Sequence, residues 1–235
     1  SSSVGQSSSS SETPVLCKVS GDWGYNGCLV KYPSGKGDLW SPGDVKVKTD
    51  AYAEDSSKFG DHAGEFFFEK DSADRRQAEL LLRLDELKSE FSGYLDGYIK
   101  FDRTYNSFFD IGFYTAGFDS NGEALSVDVS NWNGICVLYR GSIVPTLQLD
   151  LGNAIDQELS YALPSVVLES KDESQCFEWK DFKLSASDKE NEIVSGEDAA
   201  KHVKKIIFHF QILPQEVYSG TENFTILAIG TNRDE

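Results

Sequence analysis

Short apolar runs alternate with turn-forming residues along most of the chain. Runs rich in β-branched and aromatic side chains occupy residues 45–49, 64–70 (GEFFFEK), 97–102 (GYIKFD), 109–116 (FDIGFYTA), 134–139 (GICVLY), 146–151 (TLQLDL), 165–168 (SVVL), 176–182, 205–212 (KIIFHFQI) and 223–230 (NFTILAIG). Gly, Asn, Asp and Pro punctuate them, as at Asp119-Ser120-Asn121-Gly122, Pro145 and Pro164, because these residues set turn geometry at low conformational cost. About ten strands at this spacing predict an all-β fold, a sandwich or a barrel. Two segments depart from the pattern. Residues 74–92 place Leu80, Leu84, Leu87 and Phe91 at helical spacing with charges opposite, which predicts an amphipathic helix. Residues 196–204 (GEDAAKHVK) predict a short helix with Ser195 as N-cap and acids in its first turn.

Within several strands the alternation leaves one polar or aromatic face. Leu147, Leu149 and Leu151 face one way, and Gln148 and Asp150 the other. Ile206, Phe208, Phe210 and Ile212 oppose Ile207, His209 and Gln211, while Ile111 and Phe113 oppose Asp110, Gly112 and Tyr114. Phe177 and Trp179 oppose Glu178 and Lys180. Such a face is wettable yet held by a rigid scaffold. It suits sugars, whose hydroxyls bond to planar polar groups and whose apolar ring face stacks on aromatics. A plainly solvated outer face, common in antiparallel sheets, reads the same way.

Composition narrows the partner. The 235 residues carry 39 acidic and 22 basic side chains, a net charge of −17. Nucleic acid requires a basic footprint, and anionic membrane surfaces disfavour this charge as well. No apolar run approaches the roughly 20 residues of a membrane span. The hydrophobic fraction of 39% and aromatic fraction of 12% are those of a folding chain. Methionine is absent, from which a processed or excised piece of a longer protein is expected. Residues 1–13 (SSSVGQSSSSSET) read as a flexible Ser-rich tether, residues 14–36 as a loop-rich collar, and residues 37–235 as the packed domain. The four cysteines, Cys17, Cys28, Cys136 and Cys176, form no CxxC pair and read as two disulfides among three possible pairings. Cys17 with Cys28, stapling a Gly-rich loop, and Cys136 with Cys176, tying two strands, are the pairing expected; buried free thiols are the alternative. Disulfides predict a secreted or cell-surface location.

Motif order adds a resemblance. The stretches SNWNGICVLYRGSIVPTLQLDLG from Ser130, CFEWKDFKL, SGEDAAKHVKKIIFHFQI and NFTILAIG resemble jelly-roll modules of the family-11 carbohydrate-binding type. The chain also resembles, more closely, paralogous extracellular modules of Fibrobacter-type cellulose degraders. The matching residues are Asp38-Leu39-Trp40, positions 132–139, 179–183 and 196–201, together with the polyserine of residues 7–11. The resemblance implies a galactose-binding-like jelly-roll β-sandwich with one or two peripheral helices, binding plant polysaccharide such as cellulose or hemicellulose. It transfers no binding residues.

From the residues themselves, the carbohydrate-binding candidates are Tyr114, Gln148, Asp150, His209 and Gln211 on the polar faces. Trp40, in a Gly-rich setting, and Trp132 complete the set. Trp132 and Trp179 stand inside motifs that resemble structural ones, which favours core over sugar platform for both. Asp119, Asn121 and Asp128, with Glu123 between them, offer oxygen ligands at alternate positions that suit a structural calcium ion; an Asn-Gly hairpin turn explains the same letters. No GxSxG, HExxH, P-loop or GxGxxG motif is present. With 39 acids some carboxylate pair always arises, so composition does not discriminate for or against glycoside hydrolysis; with no catalytic motif present, a non-catalytic module is expected. The competing expectation is a structural or adhesion module that binds another surface protein through the leucine face of residues 74–92.

Overall fold

The computed structural model describes residues 39–40, 56–61, 63–64, 66–70, 78–80, 95–101, 107–159, 162–184, 195–212 and 221–232. The Ser-rich segment, the collar and the expected Cys17–Cys28 staple lie outside the described residues, as does the strand expected at 45–49.

Twelve strands are described: β1 (Leu39–Trp40), β2 (Phe66–Lys70), β3 (Ala78–Leu80), β4 (Leu95–Phe101), β5 (Ser107–Tyr114), β6 (Ile135–Gly141), β7 (Thr146–Asp150), β8 (Pro164–Val167), β9 (Gln175–Phe177), β10 (Lys183–Leu184), β11 (Lys205–Ile212) and β12 (Thr221–Thr231). They form two six-stranded antiparallel sheets. One runs β3-β4-β12-β6-β9 with β1 beside β12, and the other runs β10-β8-β7-β11-β5-β2. The chain changes sheet at every step between these strands except β3 to β4, β7 to β8 and β10 to β11. The result is a β-sandwich of the jelly-roll kind, one of the two architectures that the spacing predicts. Among the described residues two short α-helices accompany it, α1 (Asn153–Glu158) and α2 (Gly196–Ala199). Among the described residues no helix is long and apolar enough to cross a membrane.

The alternation decides what fills the core. Phe109, Ile111, Phe113, Leu147, Leu149, Ile206, Phe208, Phe210 and Ile212 from the second sheet meet Leu95, Ile99, Ile135, Val137, Tyr139, Phe224, Ile226 and Ile229 from the first. Apolar burial is the main stabilising term of such a sandwich. Ser195 caps α2 as expected, its Oγ accepting the Asp198 N–H at 3.1 Å.

Two local expectations are corrected. Ala78–Leu80 forms a strand, paired with Phe101, Lys100 and Ile99 of β4, where the leucine spacing predicts helix. Sheet-edge hydrogen bonding overrides the local period there; the rest of 74–92 lies outside the described residues. The run 176–182 is not one strand. It ends at Phe177 and turns through a 3₁₀ segment, Trp179–Asp181, because the Asp181 Oδ2 accepts the Glu178 N–H at 2.9 Å and closes the turn.

Candidate functional site

The core-facing residues of β5, β7 and β11 fix the orientation of their neighbours, since successive side chains in a strand point to opposite faces. The outer face of the second sheet is therefore read directly from the register. One row is Asp150–Lys205–Tyr114. The next is Ser165–Gln148–Ile207–Gly112–Phe67. Then come Val167–Thr146–His209–Asp110 and Gln211–Phe108. Tyr114, Gln148, Asp150, His209 and Gln211, expected from alternation alone, thus share one face.

Aromatic rings gather at one corner. Tyr114 lies 4.9 Å from Phe67 and 4.4 Å from Phe118 between centroids. Gly112 creates the space: a Cβ there would sit 2.8 Å from the Phe67 Cζ. The Lys205 ammonium lies 5.5 Å from the centre of the Phe67 ring. Sequence reasoning missed Phe67, Phe118 and Lys205. The first is one of three consecutive phenylalanines, and the second is on a loop.

Charged and polar groups flank the rings. Lys205 Nζ meets Asp150 Oδ2 at 2.8 Å. His209 Nδ1 and Asp110 Oδ1 are 2.6 Å apart, and the Phe108 ring is 5.5 Å from the imidazole. Behind Asp150, Asp156 is buried in α1. Its two oxygens accept the N–H groups of Leu151 at 3.2 Å and Gly152 at 3.1 Å, and Asp150 Oδ1 accepts the Gly152 N–H at 2.9 Å. Burial, and then the charge of Asp150, push the Asp156 carboxyl up to about 6.

That shift has a sign. A carboxyl held above its unfolded value binds its proton more readily in the folded chain. The folded state is thus favoured in acid, and this contribution is lost as pH rises from about 4 through about 6. Acidifying from about pH 7.5 to 5 is expected to stabilise the wild type by roughly 1 to 2 kcal/mol through this group. Asp156→Asn is expected to flatten that slope. Thermal melts of both proteins across the range check it; parallel profiles would refute it.

Two of the tryptophans belong elsewhere. Trp132 is 1% exposed and part of the core, so no sugar can stack on it; this corrects its candidacy. Trp40 lies on β1 opposite Ile229, in the other sheet, and does not join the five. Tyr98, on β4 of that same sheet, is the one aromatic among the strongly exposed large apolar residues described.

The residues expected to hold calcium sit on two turns. Asp119 Oδ1 accepts the N–H groups of Asn121 at 2.8 Å and Glu123 at 2.9 Å, and these bonds, that of Glu123 first, hold its carboxyl below the ordinary value. Asp128 Oδ1 accepts the Ser130 N–H at 2.9 Å. Among the described residues no group of three or more His, Cys, Asp or Glu is placed to hold a metal. A separate polar cavity of about 440 Å³, lined by Asn133, Trp179, Lys201 and Asn232 among others, offers no exposed ring. Trp179 is 4% exposed there, and Lys201 is paired with Asp198 at 2.9 Å.

No protein-family model matches the sequence, and no curated protein matches it. Among solved structures the chain is similar to CtCBM11, determined in solution in a study of its structure, dynamics and binding. The identity is 9% over 72% of this chain and 90% of that one, with a TM-score of 0.36. At that identity and score the likeness assigns neither ligand nor residue.

Proposed function

We propose that the chain is a non-catalytic extracellular module whose outer face on the second sheet binds plant cell-wall polysaccharide, cellulose or hemicellulose, and that its Ser-rich segment tethers it to other surface domains. One observation carries the reading. One sheet face sets the tilted rings of Phe67 and Tyr114, joined by Phe118 from the adjoining loop, beside a carboxylate, an amide and an imidazole. Rings supply the apolar contact that a pyranose face needs, and the polar groups match its hydroxyls. The net charge of −17 favours neutral chains over polyuronates, which it repels. The Cys136–Cys176 disulfide supports an oxidising location.

Affinity electrophoresis in gels containing cellulose derivatives, β-glucan, xylan, mannan or pectate tests the reading. Retardation on at least one neutral polymer and none on pectate is expected. Tyr114→Ala is expected to weaken retardation about tenfold through loss of ring contact. Mobility unchanged on every polymer overturns the proposal. Capture of one surface protein by a glycan-silent module would favour the adhesion reading, whose expected helix is already interrupted by the strand at Ala78–Leu80.

A further inference from the structure

The His209–Asp110 pair sits within the face proposed to bind glycan, and a role for it in binding rests on that reading. The two residues are direct cross-strand neighbours on β11 and β5. Their side chains are only 18% and 14% exposed, and the Nδ1–Oδ1 separation is 2.6 Å. A carboxylate offers acceptors alone, so the proton between them belongs to Nδ1. In the neutral imidazole Nε2 then keeps its lone pair. Among the described residues that atom has no hydrogen-bond partner. The ring is further confined by Phe108, 5.5 Å away between centroids.

Across β7 the neighbour of His209 is Thr146, which is uncharged. Along β11 the nearest charge is Lys205, held by Asp150 at 2.8 Å. On β2 the register sets Glu69 opposite Asp110, one strand further out.

We infer that Asp110 is a positioning residue: it locks His209 in the Nδ1–H tautomer and aims Nε2 as an acceptor for a hydroxyl of the bound glycan. Asp110 acts through the imidazole and need not touch the ligand. A carboxylate holding a histidine in one tautomer and orientation is a familiar second layer around metals and in triads; here it serves a hydroxyl.

The test is a double-mutant cycle read alongside the ring nitrogens. In protein labelled with ¹⁵N-histidine, the His209 signals, assigned by their loss in His209→Gln, are expected to report Nδ1–H in the wild type and a shift towards Nε2–H in Asp110→Asn. On the polymer that retards the wild type most, Asp110→Asn and His209→Gln are each expected to weaken binding about five- to tenfold. The double variant is expected to be no weaker than the worse single. An Nε2–H wild-type tautomer, wild-type binding by Asp110→Asn, or losses that multiply in the double variant would each overturn the inference while leaving the face reading in place. A wild type silent on every polymer would instead overturn the face reading and this inference with it.

Discussion

Replacing Trp132 with alanine is expected to cost about 3 to 5 kcal/mol of folding free energy and to leave polysaccharide binding unchanged in the protein that folds. Trp132 ends a 3₁₀ turn, Ser130–Trp132, at the entrance to β6. Its N–H donates to the Val129 carbonyl at 2.9 Å, and its own carbonyl accepts the Asn232 N–H at 3.0 Å. The indole is 1% exposed and is among the largest fully buried side chains. Removing it deletes apolar contact and leaves a cavity that the surrounding strands cannot close. Against a typical domain stability of about 5 to 15 kcal/mol, such a loss moves the denaturant midpoint far but need not abolish folding in the cold. Guanidinium unfolding followed by electrophoresis at low temperature reads both quantities. Tyr114→Ala is expected to do the opposite, weakening binding with a small change in midpoint. Loss of retardation in Trp132→Ala at an unchanged midpoint would return Trp132 to the binding face and refute its assignment to the core.

The same contrast shows what the sequence could convey. Alternation is a property of the strand itself, so the strand at 205–212 is legible to its ends. The burial of Ile206, Phe208, Phe210 and Ile212 places His209 and Gln211 outward without reference to any partner. The five face residues are legible by the same period. Pairing is not local and is not legible. Nothing in the run Phe66-Phe67-Phe68 says which ring turns outward; only pairing with β5, which sets Phe67 opposite Gly112, decides it. Leu80 carries a helical period yet lies at a sheet edge, because β4 has hydrogen-bonding groups to satisfy there. Helix α1 is six residues long, too short for periodicity to register, and its first turn depends on the Asp156 carboxylate meeting the backbone of Leu151 and Gly152. The Trp132 motif itself is ambiguous: a tryptophan before a buried strand and a tryptophan on a ligand platform share the same letters until burial is known.

Removing the disulfide, by Cys136→Ala with Cys176→Ala, is expected to lower stability by about 4 kcal/mol. The two cysteines are separated by 40 residues, and a cross-link closing a loop of that size removes about this much chain entropy from the unfolded state. The native side adds to the case. Strand β9 has three residues and lies at the end of its sheet. Its register is Ile135↔Phe177, Cys136↔Cys176 and Val137↔Gln175, so the disulfide sits at the middle pair. Directly after it, Trp179 donates its indole N–H to the Val129 carbonyl at 3.2 Å and packs 5.5 Å from Phe182. Gly196 of α2 lies so close that a Cβ would fall 1.9 Å from the Trp179 carbonyl oxygen. Freeing β9 therefore loosens the 3₁₀ turn and the seat of α2 together. Non-reducing peptide mapping is expected to recover the Cys136 and Cys176 peptides linked, and chemical denaturation of the double variant to show the lost stability. Equal midpoints for wild type and variant would mean that the strand pairing alone holds β9. The face proposed to bind polysaccharide lies on the other sheet, so retardation is expected to survive in the folded variant at low temperature.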